Sequence, residues 1–157
     1  MMRLHHLLLP LKRQLIIVFK MHKYAVVCID DDPLITSLLS FQLRKVIDTK
    51  TTFIETYSKP TEVEKHIEEL IDFGVNLVFI IVDYQMPEMN GAELIRKLKQ
   101  KYPWISCIML SGQANDLVVG ELKEDHLLEK YIAKPWSEAD LFEVVRPLIE
   151  KISEENK

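Results

Sequence analysis

The feature that most limits what this chain can fold into is a repeated alternation of short apolar runs with stretches of helical periodicity. The runs are YAVVCI at 24–29, TTFIET at 51–56, LVFIIV at 77–82, ISCIML at 105–110 and KYIA at 130–133. Most are continuous rather than alternating, as expected of strands covered on both faces, because a wet face would put a polar side chain at every second position. Between them, Leu34, Leu38, Leu39, Leu43, Val46 and Ile47 keep the spacing of one helical face and predict a helix over 33–47. Similar patterns predict helices over 60–73, 90–102, 115–125 and 138–152. Strands joined by helices run parallel, because a parallel pair needs a crossover and a helix supplies it. Right-handed crossovers leave few topologies, and the order 2-1-3-4-5 is the common one at this size. The expected fold class is α/β: a doubly wound, five-stranded parallel sheet with five flanking helices.

Local punctuation agrees with this pattern. Asp32 before Pro33 reads as a helix cap and a first-turn proline, Gly74 ends the second helix, and Pro103 closes the third. Pro147 falls inside the last helical pattern, where a missing N–H predicts a kink. The acidic stretch 150–157 reads as a frayed, solvated helix end. At 157 residues, 48% hydrophobic and 28% charged, the chain suits one domain with a real core. We read residues 22–157 as that domain and 1–21 as an N-terminal extension, apolar and basic, interrupted by Pro10, Lys12 and Arg13. The extension lacks the long core and cleavage site of a secretory signal. Three readings of it stand: a disordered or loosely attached extension, a short membrane-surface helix, or, given Met21, upstream sequence from a start assigned too early.

Charge is unevenly spread. Residues 1–29 hold five basic residues and no acid, leaving 15 basic against 24 acidic residues downstream, a net of −9. A body so acidic repels nucleic-acid phosphates, so direct nucleic-acid binding is not expected. No apolar run reaches the roughly 20 residues of a membrane span. Cys28 and Cys107 both sit in apolar runs, which favours core packing in a reducing, cytoplasmic setting. The five histidines form no pattern with these or other ligands, and we read them as surface or packing residues.

The chemistry is expected beyond the carboxyl ends of the strands, where doubly wound sheets bind ligands. There the first run ends in Asp30, Asp31 and Asp32, the third in Asp83, the fourth in Ser111 and the fifth in Lys134. In the order above, the first and third strands are neighbours, so Asp30, Asp31 and Asp83 converge. Clustered carboxylates repel, and a hard divalent cation such as Mg2+ relieves the repulsion. Asp83 could then act as a carboxylate nucleophile toward phosphorus, with Lys134 as point charge and Ser111 as hydroxyl donor. Gly112 is expected to leave room beside Ser111.

Four segments, CIDDDP at 28–33, VDYQMPEMNG at 82–91, MLSG at 109–112 and YIAKPW at 131–136, together resemble the receiver domain of two-component response regulators. The resemblance covers about residues 22–152 and brings with it the flavodoxin-like version of the fold. It implies Asp83 as the phospho-acceptor and Asp30, Asp31, Asp83 and the Gln85 carbonyl as Mg2+ ligands, Asp30 through water. It implies Lys134 as the phosphate partner, a cis bond before Pro135, and Ser111 with Tyr131 as the switch pair. Gln85 and Gln113 fall where the family tunes phosphoryl lifetime. The 30–83 interval is longer than in compact receivers, and Trp136 replaces a common phenylalanine, expected to alter packing more than chemistry.

The implied partners are a sensor histidine kinase or phosphotransfer protein, and a downstream protein met by the fourth helix, fifth strand and fifth helix. A homodimer is left open. With few residues after the last helix, the expectation is a stand-alone switch that is a phospho-acceptor rather than an enzyme. Two alternatives stand beside this reading: a haloacid-dehalogenase-like phosphohydrolase using Asp30-x-Asp32, and a receiver-like module that signals without phosphorylation.

Overall fold

In the computed structural model, residues 17, 21–112 and 116–155 are described. Five strands form one parallel sheet in the order β2-β1-β3-β4-β5. They are β1 (Tyr24–Ile29), β2 (Thr52–Tyr57), β3 (Asn76–Asp83), β4 (Cys107–Ser111) and β5 (Lys130–Ala133). The helices between and after them are α1 (Pro33–Leu43), α2 (Pro60–Asp72), α3 (Gly91–Lys101), α4 (Asp116–Glu124) and α5 (Glu138–Glu155). The architecture is the doubly wound sheet expected from the alternation of elements, in the flavodoxin-like form that the family resemblance implied.

Two buried clusters show why the strands read as unbroken apolar runs. On one face Val26, Cys28, Phe79, Ile81, Ile108 and Leu110 pack with Leu39 and Leu43 of α1 and Leu141, Val145 and Leu148 of α5. On the other, Val27, Ile80, Val82 and Met109 pack with residues of α2, α3 and α4, including Ile67, Leu94 and Leu122. Successive strand residues point to opposite faces, and in β1 and the second half of β3 both faces are covered, so the positions there are apolar up to the acids at the strand ends. Each fully buried aliphatic side chain contributes about 1.5–3 kcal/mol. The two cysteines are free and lie on opposite faces of the sheet; burial pushes both thiols up to about 12.

Several boundaries differ from expectation. The first helix stops at Leu43 rather than 47, because Lys45 and Val46 bond to carbonyls three residues back and tighten the chain into turns. Ile47 nonetheless reaches the core through those turns, which is why the apolar period outlasts the helix. α5 continues to Glu155, three residues past the expected 152, so the exposed residues 153–155 are helix and not a frayed end. Pro147 is accommodated inside α5 on its exposed side, where the carbonyl that loses its donor can meet water. Gly74 ends α2 with φ of 78°, a left-handed conformation that glycine adopts freely.

Register decides what the sheet edge presents. Ile29 of β1 pairs with Val82 of β3, so Asp30 and Asp83 leave neighbouring strands at one level. Asp83 pairs with Leu110, and Ser111 pairs with Ala133, which sets Ser111 and Lys134 one step further round the same edge.

Candidate functional site

At that edge the acids converge. Carboxylate oxygens of Asp30, Asp31 and Asp83 lie within 4.8 Å of one another. Asp30 and Asp83 are buried, whereas Asp31 is exposed. Lys134 reaches across from the end of β5, and its Nζ donates to Asp30 Oδ2 and Asp83 Oδ1, both at 2.9 Å. Asp30 Oδ1 also accepts the Asp32 backbone N–H at 2.9 Å, and Asp32 in turn caps α1 by accepting the Leu34 N–H at 2.9 Å. The acidic triplet therefore serves two needs, holding charge in the cluster and starting the helix beside it.

The electrostatics follow from burial. Desolvation pushes the Asp83 carboxyl above its usual range, and repulsion from Asp30 and Asp31 adds to this, against the hydrogen bond from Lys134. Burial alone would lower the Lys134 ammonium, but its bonds to Asp83 and Asp30 outweigh that and raise it. Lys134 is therefore charged at neutral pH, while three carboxylates share that single ammonium. The residual negative charge and the hard oxygen donors suit a divalent cation with oxygen preference. Asp30, Asp31 and Asp83 are the residues that could hold it.

The other expected site residues fall around this cluster. Ser111 is buried at the end of β4, and its carbonyl accepts both the Lys134 N–H at 2.7 Å and the Tyr131 hydroxyl at 3.4 Å. Tyr131 is half-buried, on the side of the sheet packed by α2, α3 and α4. Gln85 is exposed in the loop after β3. Gln113 lies outside the described residues, as do the N-terminal histidines at 5 and 6. His66 stacks on Tyr57 with ring centroids 4.9 Å apart, a packing role. The bond between Lys134 and Pro135 is cis.

One expectation needs correction, and two residues acquire roles the sequence left open. Among the described residues, a Cβ added at Gly112 would meet Lys134 Cβ at 3.8 Å, an ordinary contact, so none of them requires glycine there for room. At Gly91 a Cβ would lie 2.3 Å from the Asp83 carbonyl oxygen, so α3 must start with glycine to approach the acceptor strand. The signal was its place at the end of VDYQMPEMNG, but nothing in the string tells which backbone it approaches. Trp136 does more than fill space: its indole N–H donates to Gln42 Oε1 at 2.9 Å, a bond phenylalanine could not make.

An α/β sheet with an acidic, lysine-bridged cluster at its topological switch point defines a receiver-type signalling module. Residues 26–146 match the family described as the response regulator receiver domain, and the chain belongs to that family, a signalling module of two-component systems rather than a classical enzyme. Over 85 residues it is 32% identical to the sensor kinase CckA of Brucella abortus, a match covering 54% of this chain and 9% of the kinase. The chain thus spans less than a tenth of that relative's length. A response regulator receiver domain from Clostridium thermocellum superposes with a TM-score of 0.68 at 24% identity, covering 83% of this chain and 97% of that one. The chemotaxis protein CheY4 of Vibrio cholerae gives 0.66 at 20% identity, covering 80% of this chain and 98% of its own. Likeness at these identities speaks to the fold.

Proposed function

We propose that this domain, residues 22–157, accepts a phosphoryl group on Asp83 from a histidine kinase or phosphotransfer protein and thereby changes its protein contacts. The observation that carries the reading is the unequal use of the two buried acids. Among the described residues, Asp30 has a donor on each oxygen, Lys134 and the Asp32 N–H, whereas the side-chain bond to Asp83 is to Oδ1 alone. Asp83 is thus the acid better placed to attack. This also weighs against the phosphohydrolase alternative, in which the acid after the first strand would be the nucleophile.

In the transfer, an Asp83 carboxylate oxygen forms the bond to phosphorus as the donor's phosphorus–nitrogen bond breaks, and that electron pair returns to the imidazole. Asp30, Asp31, Asp83 and the carbonyl of Gln85 would hold Mg2+, which when bound neutralises charge on the phosphoryl oxygens. Lys134 orients Asp83 beforehand and pairs with the phosphoryl group afterwards. Ser111 and Tyr131 form the switch, linked through the Ser111 carbonyl to the strand that carries Lys134. The downstream partner meets α4, β5 and α5. A groove of about 580 Å³ between β5 and α5, lined by Tyr131, Pro135, Val144 and Pro147 among others, supports that choice. It is lined by Ala133 and Pro135 on either side of Lys134, so a partner seated in it would sense the segment that carries the lysine. No helix among the described residues is long and apolar enough to cross a membrane, and a histidine-kinase partner fits a cytoplasmic setting.

The test is incubation with acetyl phosphate and Mg2+, followed by intact mass. Wild type is expected to gain one phosphoryl group and Asp83→Asn none; equal labelling of the two would remove Asp83 from the role.

A further inference from the structure

We propose that Gln42 and Trp136 are a positioning pair that holds Lys134 over Asp83. The proposal rests on the reading of Asp83 as acceptor, but it concerns residues that reading does not use. Lys134 ends in an ammonium on a flexible four-carbon stem, so where its head sits depends on how firmly its backbone is held. On one side that backbone is anchored by its N–H bond to the Ser111 carbonyl at 2.7 Å. On the other side the anchor is Trp136, two residues on, whose indole N–H donates to Gln42 Oε1 at 2.9 Å.

Gln42 is a buried polar residue on the core face of α1, 8% exposed and flanked by Leu39 and Leu43. A glutamine there needs a partner for its oxygen, because an unpaired buried acceptor is costly. No buried side-chain nitrogen or oxygen among the described residues lacks a partner, and Trp136 supplies the one for Gln42 Oε1. The indole also packs against the cluster formed by α1 and α5, so its ring is held as well as its N–H.

The pair closes a circuit through α1. At the start of the helix, Asp32 caps α1 and donates its N–H to Asp30 Oδ1. Near its end, Gln42 holds the segment that carries Lys134. Lys134 then returns to Asp30 Oδ2 and Asp83 Oδ1. The acid and the cation are thereby referenced to opposite ends of one rigid rod, about 14 Å apart along its axis. Lys45 adds a contact to Glu138 at 2.6 Å, but both side chains are largely exposed and its contribution is small. Phenylalanine at 136 would fill the indole's place, release this anchor and let the segment after Lys134 shift.

The experiment compares the wild-type chain with Trp136→Phe, Gln42→Met and the double variant, which leaves neither a stranded donor nor a stranded acceptor. Acetyl-phosphate labelling is followed by intact mass at saturating Mg2+, Mg2+ half-saturation by the shift in thermal melting, and stability by urea. Each single variant is expected to lose roughly tenfold in labelling rate, since small misplacements of a reacting group are costly. Mg2+ half-saturation is expected to stay within about twofold, because none of the residues proposed to hold the ion is replaced. The double variant is expected to regain the urea midpoint but not the rate. Labelling of the singles at the wild-type rate, or a double variant that recovers rate together with stability, overturns the proposal and leaves a packing contact. If wild type itself is not labelled, the reading of Asp83 fails instead. The lysine ammonium resonances of isotope-labelled protein then decide the pair: a Lys134 signal unmoved in both single variants refutes it.

Discussion

Replacing Gly91 by alanine tests how closely α3 must approach the acceptor strand. The new Cβ would sit 2.3 Å from the Asp83 carbonyl oxygen and 3.0 Å from both the Asp83 carbonyl carbon and Tyr84 Cα. Carbon–oxygen contacts settle near 3.3 Å, so the first turn of α3 or the end of β3 must give by about 1 Å. All three obstacles are backbone, and no rotamer can relieve them. The same movement stretches the Gly91 N–H bond to the Tyr84 carbonyl, now 2.8 Å, beyond bonding range. Overpacking costs about 1–3 kcal/mol and the lost bond about 1, while alanine returns at most about 1 through helix propensity. The net loss is about 2 kcal/mol, which lowers the urea midpoint by about 1 M. Gly120→Ala is the control, since nothing lies within 4 Å of a Cβ there and the site is inside α4. That variant is expected to gain up to about 1 kcal/mol. A Gly91→Ala midpoint at or above wild type would refute the argument.

Two further outcomes follow from the charges. In metal-free buffer Asp83→Asn is expected to stabilise the fold by on the order of 1 kcal/mol, because burial and its acidic neighbours disfavour the wild-type carboxylate. Added Mg2+ is expected to raise the wild-type melting temperature more than the variant's; a variant less stable than wild type without metal contradicts this. Glu64 accepts from Lys97 at 3.0 Å and Lys101 at 3.1 Å, and the hydrogen bonds from these two lysines hold its carboxyl below the usual range. Its contribution is therefore present above the unfolded value near pH 4.3 and lost as pH falls through the folded value. Glu64→Gln should cost under about 1 kcal/mol at pH 7, and the difference should vanish in strong acid. Urea midpoints at the two pH values check it, and a gap that widens in acid would be the wrong sign.

Much of the fold was legible because each local signal has a local cause. β1 and β5 fall on the residues expected, and α2 begins at Pro60 as expected, because strand runs and cap residues act over a few positions. One miss lies where long-range packing overrules a local pattern. Val46 and Ile47 kept a helical period, yet the chain there is turns that deliver Ile47 to the core. The last helix was expected to end at 152 in a frayed, solvated stretch, yet it runs to Glu155, where local helix propensity rather than packing carries it on.

For the site, the chain alone determined which residue types stand at the ends of the strands. Five apolar runs with helices between them permit few sheets, and each puts positions 30, 83, 111 and 134 on one edge. Tertiary structure alone decided the pairing among them: which oxygens of Asp30 and Asp83 Lys134 occupies, how near Gly91 comes to Asp83, and that Trp136 finds Gln42 94 residues away. The reason is physical. Strand ends are set by local propensity and burial, whereas a hydrogen bond between distant side chains exists only once packing has fixed both backbones.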